Sequence, residues 1–153
     1  MKLVKICSLI TLVSLLLVGC GSTPQLKSDE PAERIDFAEE EGYIVGLDQK
    51  SSGIYVFSIR NVGPNPMKLT FPTTKLFDYA IKNQAGETVY QYSYAHSFNQ
   101  VITEKTIETN AAIEMEIYIL EILETLEPGS YNLEVWLSAN NLYATSEMEI
   151  VVE

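Results

Sequence analysis

After residue 43, apolar and polar residues alternate with a period of two along much of the chain, the signature of strands that bury one face. Ala111 to Ile119 is the clearest run. Ile113, Met115, Ile117 and Ile119 fall on one side, and Glu114, Glu116 and Tyr118 on the other. Tyr131, Leu133, Val135 and Leu137 repeat the pattern behind a Pro128-Gly129 turn. Phe77, Tyr79 and Ile81 oppose Asp78, Ala80 and Lys82 within Leu76 to Lys82. The turn Asn83-Gln84-Ala85-Gly86 then leads into Thr88 to Tyr92, which predicts a hairpin. In Gly53 to Arg60 both sides are largely apolar: Tyr55, Phe57 and Ile59 against Ile54, Val56 and Ser58. That pattern predicts a central strand, paired with Tyr43 to Leu47 around a turn at Gln49 to Ser52.

Less regular stretches complete the picture. Asn61 to Pro66 holds Gly63, Pro64 and Pro66 and is a break; Met67 to Phe71 predicts a short strand closed by Pro72. Ser93 to Val101 alternates poorly. Leu120, Leu123 and Leu126 are spaced three apart, which suits a short helix or an irregular bridge better than a strand. Asn140-Asn141 turns the chain into a last strand predicted over Leu142 to Val152. Trp136 falls between inward positions by strict alternation, which places it over a sheet edge or at a bulge. Seven to nine short strands separated by turn signals describe an all-β, antiparallel β-sandwich.

The first 42 residues follow another pattern. Met1 to Lys5 carries Lys2 and Lys5 and no acid, and Ile6 to Val18 runs without a charge. That apolar run of about 13 residues is short of the roughly 20 helical residues that cross a bilayer, and suits the core of an export signal. It ends in Leu17-Val18-Gly19-Cys20, the pattern of a bacterial lipobox. There a small residue, Gly19, precedes a cysteine whose thiol takes diacylglycerol before the bond between Gly19 and Cys20 is cut. The expectation is a signal peptide over residues 1–19 and a lipid anchor on Cys20. Residues 20–41 form a flexible tether rich in Ser, Thr, Pro and charge. The β-domain then occupies residues 42–153, at the extracytoplasmic face of the cell membrane.

Charge and chemistry narrow the functions. A formal net charge of −11, made more negative when the leader's two lysines are lost, excludes nucleic acid as a natural partner. Cys7 leaves with the leader and Cys20 is taken by lipid, so no thiol remains for a disulfide or a metal. Any Ser-His arrangement would depend on the single histidine, His96, which lies between Ala95 and Ser97 with no Gly-x-Ser-x-Gly motif nearby. It reads as a surface or edge residue. Glu114 with Glu116 and Glu147 with Glu149 are paired acids, but no calcium-loop pattern accompanies them, and a solvated strand face accounts for both. No metal or cofactor is implied, and no catalytic residue is assigned. Tyrosine is abundant, nine in all, and Tyr90, Tyr92 and Tyr94 share a strand face by alternation. Packing between the sheets accounts for that cluster more readily than a contact surface does.

The middle of the chain resembles a known family. Ser58-Ile59-Arg60-Asn61, then Pro66, then Leu69-Thr70-Phe71 match its strand, asparagine, loop and "L-x-F" opening. Lys75-Leu76-Phe77-Asp78-Tyr79 matches an aromatic-Asp-aromatic centre, and Ala85 to Ser93 a "G-x-x-V-aromatic-x-aromatic-S" hairpin. Phe98-Asn99-Gln100 matches a closing "F-x-Q". Over about 45 residues this is similar to the BsuPI-type intracellular proteinase inhibitor domain. The later Pro128-Gly129-Ser130-Tyr131 echoes a Gly-x-Tyr strand start. Tyr90 and Tyr92 stand where the family usually has Trp, and Thr109-Asn110-Ala111 where it has a Pro-Gly-Glu turn. The resemblance implies an immunoglobulin-like sandwich and, at one remove, inhibition of a serine protease; it assigns no inhibitory residue.

Two functions of different kind follow. The first is a membrane-tethered, non-enzymatic protein-interaction module of the cell envelope. The second is a serine protease inhibitor at the outer face of the membrane, which needs a rigid exposed loop. The candidate interaction loops are Asn61 to Pro66, with Asn61, Gly63, Pro64 and Pro66, and Ser93 to Ile102, with Tyr94, His96 and Phe98. A hydrolase using His96 is a third, weaker alternative.

Overall fold

The computed structural model describes the backbone of Ile35–Ala38 and residues 42–153. The leader, Gly19, Cys20 and the rest of the tether lie outside the described residues. Strands follow in the order β1 (Ile35–Ala38), β2 (Tyr43–Ser51), β3 (Ile54–Asn61), β4 (Met67–Phe71), β5 (Phe77–Lys82) and β6 (Thr88–Gln91). A helical turn α1 (Tyr92–Ala95) precedes β7 (Thr103–Ile107) and β8 (Ala112–Tyr118). A second turn α2 (Leu120–Leu123) leads to β9 (Gly129–Leu137) and β10 (Thr145–Val152).

Every pairing is antiparallel. One sheet runs β1-β2-β3-β8, a second β10-β9-β5-β6, and β4 pairs with β7 in a separate ribbon. This is the strand distribution of an immunoglobulin-like sandwich. The alternation in the sequence explains it. Phe57, Ile59 and Ile117 from the first sheet meet Ile81, Leu133 and Val135 from the second in one core, and none of the six exceeds 1% exposure. β3, apolar on both sides, lies between β2 and β8 as its pattern predicts. Nine of the strands fall within residues 42–153; β1 adds to the free side of β2 from a stretch read as tether, with Ile35 opposite Gly46 and Ala38 opposite Tyr43.

Three local expectations are corrected. Trp136 lies at neither an edge nor a bulge. β9 runs between β10 and β5, and Trp136 pairs in regular register with Thr145 and Asp78, half-buried on the outer face. The register shifts fall instead at Gln49/Ser51 and Ile81/Lys82. The last strand begins at Thr145 rather than Leu142, because the preceding loop is bonded to β4. The Asn140 N–H donates to Thr70 O at 2.8 Å. The Asn141 side chain accepts from Thr70 N at 2.9 Å and donates to Lys68 O at 2.7 Å. Finally, Tyr90, Tyr92 and Tyr94 do not share a face, since α1 starts at Tyr92 and leaves Tyr94 84% exposed.

The turn at Thr109-Asn110-Ala111 shows why a departure from the family pattern is tolerated. Asn110 adopts φ 64°, the left-handed region that glycine enters freely and asparagine enters more readily than other side chains. Its N–H donates to Asn61 O at 2.9 Å.

Candidate functional site

Antiparallel pairing brings the start of β5, the end of β6 and the β9–β10 connection to one end of their sheet. The Tyr43 hydroxyl, on the residue opposite Asn61, donates to Tyr143 O at 2.8 Å and brings the end of β3 to the β9–β10 connection. Both candidate loops therefore emerge at that end. Their chemistry differs.

In loop 61–66, Asn61 is 2% exposed. Its amide nitrogen donates to Asn65 O at 2.8 Å and Ile107 O at 3.0 Å, and its amide oxygen accepts from Gly63 N at 2.9 Å. A buried amide with all these bonds made is a pin between the loop and β7, with nothing left to offer a partner. Gly63 is half-buried, and the N–H groups of Val62 and Gly63 both donate to Gly42 O at 2.9 Å. Pro64 and Pro66 are exposed.

Loop 93–102 starts from a second buried polar hub. Asp78 is 1% exposed. One of its oxygens accepts from Tyr79 N at 3.0 Å and Ser93 N at 3.1 Å, and the other pairs with Lys75 Nζ at 2.8 Å. Burial by itself pushes this carboxyl up, but the bonds from Lys75 and Ser93 outweigh it and hold the carboxyl below its ordinary value. The bond to Ser93 is what turns the chain out of β6 into α1. Farther on, Thr74 and Asn99 exchange two bonds: Thr74 N to Asn99 O at 3.0 Å and Asn99 N to Thr74 Oγ1 at 3.1 Å. Phe98 is half-buried, edge-on to Tyr92 with ring centres 5.5 Å apart, and Lys75 Nζ lies 5.7 Å from its centroid. His96 is exposed, its Nδ1 3.0 Å from Tyr92 O and its ring 4.3 Å from that of Tyr92. Beyond these anchors, Val101 and Ile102 stand 57% and 71% exposed.

An aromatic cluster continues from this loop into the sandwich. Tyr92 stacks on Phe77 at 5.7 Å and on Tyr79 at 5.1 Å, and Tyr79 on Tyr90 at 5.8 Å. Tyr79 is buried, and its hydroxyl is pushed far up by desolvation and by Tyr90. These rings form one wall of a cleft of about 560 Å³ between the edges of β6 and β8. The opposite wall is Glu116 to Tyr118 with Leu120, Glu121 and Ile122, and Ser52 to Ile54 close one end. Of the candidate interaction-loop residues only His96 lines it, joined by Tyr90 and Tyr92, which the sequence assigns to packing, and Glu116, which it assigns to a solvated face. Alternation identifies faces but not which two edges part, so the cleft had no signal in the sequence. Asp78 had one: a lone acid between Phe77 and Tyr79 in a strand is either exposed or anchored.

Among the described residues no group of three or more His, Cys, Asp or Glu side chains is placed to hold a metal ion. No curated protein matches the chain. The family model described as BsuPI, intracellular proteinase inhibitor, does match, over residues 47–142. That span runs from the middle of β2 to the β9–β10 loop and covers more than half of the chain, which belongs to this family.

Proposed function

We propose that the chain is a non-enzymatic protein-interaction module with a proteinase-inhibitor-like domain, tethered by lipid on Cys20 to the extracytoplasmic face of the cell membrane. The observation that carries the interaction reading is loop 93–102. Its base is fixed by Asp78 and by the Thr74–Asn99 pair, while Val101 and Ile102 project into solvent. A loop ordered before it meets a partner loses little conformational freedom on binding, so more of the contact energy appears as affinity. The anchor is supported by Leu17-Val18-Gly19-Cys20 behind a charged and then apolar leader.

A second reading, a serine protease inhibitor at the same location, is favoured by family membership. A preorganised loop with an apolar tip is what insertion into a protease cleft requires. The full chain in mild detergent, titrated against subtilisin-like and trypsin-like proteases, separates the two readings. Stoichiometric inhibition by an uncut chain selects the inhibitor. Unchanged protease activity, with envelope proteins cross-linked through loop 93–102, selects the broader module. Incorporation of labelled fatty acid, lost in Cys20→Ser, is the expected result for the anchor; labelling that survives the substitution refutes it.

A further inference from the structure

The cleft between β6 and β8 is separate from the loop tip, and its walls call for a different ligand. β8 is the last strand of its sheet, and no described strand pairs with its outer edge. Glu116, Ile117 and Tyr118, consecutive residues whose side chains alternate between faces, all line the opening. The strand therefore presents its backbone edge there, the arrangement to which an extended segment adds. Across the opening stand Phe77, Tyr90 and Tyr92, half-buried, with His96 at the mouth. The rim is acidic. Glu116 is already bonded to Lys50 at 2.5 Å and to the Tyr118 hydroxyl. Glu121 on α2 is exposed and, among the described residues, pairs with no cation.

Aromatic walls beside an unpaired carboxylate, in a chain of net charge −11, suit a cation with a flat apolar face, and among side chains that is arginine. A second copy of this chain fits poorly. Pairing β8 with another β8 would bring its Glu114 and Glu116 against their counterparts, and like charges on paired strands repel. We infer that the cleft binds an extended, arginine-bearing peptide segment of a protein partner, which adds as a strand to β8 and lays a guanidinium group against the Tyr90–Tyr92 wall, next to Glu121. The inference rests on the interaction-module reading and names one partner chemistry for it.

The test uses the full chain in mild detergent with two probes, acetyl-Val-Arg-Val-Arg-Val-amide and its glutamate counterpart, read by calorimetry and by amide hydrogen exchange. The arginine peptide is expected to bind, to slow exchange across Ala112–Tyr118, and to weaken as salt rises. Tyr92→Leu, which keeps apolar bulk but removes the ring, is expected to weaken it about tenfold. Glu121→Gln, outside the core, should weaken it about threefold; Tyr143→Ala, at an exposed residue away from the cleft, should leave it unchanged. Equal binding of the glutamate peptide, protection outside β8, insensitivity to both cleft substitutions, or dimerisation through β8 without peptide each overturns the assignment. So does absence of arginine-peptide binding. If protease inhibition or partner cross-linking persists in that last case, the cleft assignment fails while the module reading stands.

Discussion

Loops 61–66 and 93–102 leave the same end of the sandwich, and both carry residues suited to recognition, yet they distribute hydrogen bonds and apolar surface in opposite ways. In the first, Asn61 turns inward and joins the loop to β7, leaving only Asn65 and the two prolines facing solvent beside Val62. In the second, inward bonding is done by Asp78, Thr74 and Asn99, and the apolar residues Val101 and Ile102 remain outside. Polarity in a loop is therefore a poor guide to function. What separates a structural loop from a contact loop is which of its groups remain without an internal partner.

Substitutions can break that contrast, beginning where the effect is largest. Asn61→Ala leaves the Ile107 carbonyl without its buried amide donor and removes the loop's bond to Asn65 O, while the Gly63 N–H keeps Gly42 O; it is expected to cost about 3 kcal/mol in denaturant unfolding. Asp78→Asn removes the charged partner of Lys75 and weakens the turn into α1, at about 2–3 kcal/mol near neutral pH. This second loss depends on pH in a defined direction. The folded carboxyl lies below its ordinary value, so its contribution is complete above about pH 4 and disappears as pH falls through the lowered folded value. Unfolding midpoints measured from neutral pH to about pH 2 should therefore fall more steeply for the native chain than for Asp78→Asn.

Thr74→Val deletes one of the two bonds across the loop base. It should cost about 1 kcal/mol of stability and also lower affinity for a protease or other partner, since the loop must then be ordered on binding. At the small end, Ile102→Ser should shift stability by no more than about 0.5 kcal/mol. It should still reduce complex formation by about tenfold if the tip is the contact. A stability loss as large as that of Asn61→Ala would mean that loop 93–102 is structural as well.

Much of the fold is legible along the chain because burial repeats with the strand period. β8 and β9 bury the inward residues that their alternation marks, and the β5–β6 hairpin follows its Asn83-Gln84-Ala85-Gly86 turn. The short helix expected within Leu120 to Glu127 is α2. Two of the failures share a cause. Tyr94 leaves its face because a bond from Ser93 to Asp78, 15 residues away, bends the chain at Tyr92. Leu142 stays out of β10 because its neighbour Asn141 reaches 73 residues back to Lys68. Trp136 packs outside a regular central strand, a position that alternation marks as polar. Local pattern carries no information about such long-range bonds. Nor does it report which strand edges part, and that is what makes the cleft.

The bonds from Asn140 and Asn141 to β4 have a consequence for how this protein lives among copies of itself. Asn141 offers Lys68 and Thr70 an N–H and a C=O at the positions a neighbouring strand would supply. A side-chain amide can imitate one peptide unit but cannot propagate a strand, so it stops sheet growth where a backbone would continue it. The outer edge of β4 is thereby denied to a second molecule, and crowding of these domains side by side does not recruit that edge into an aggregate.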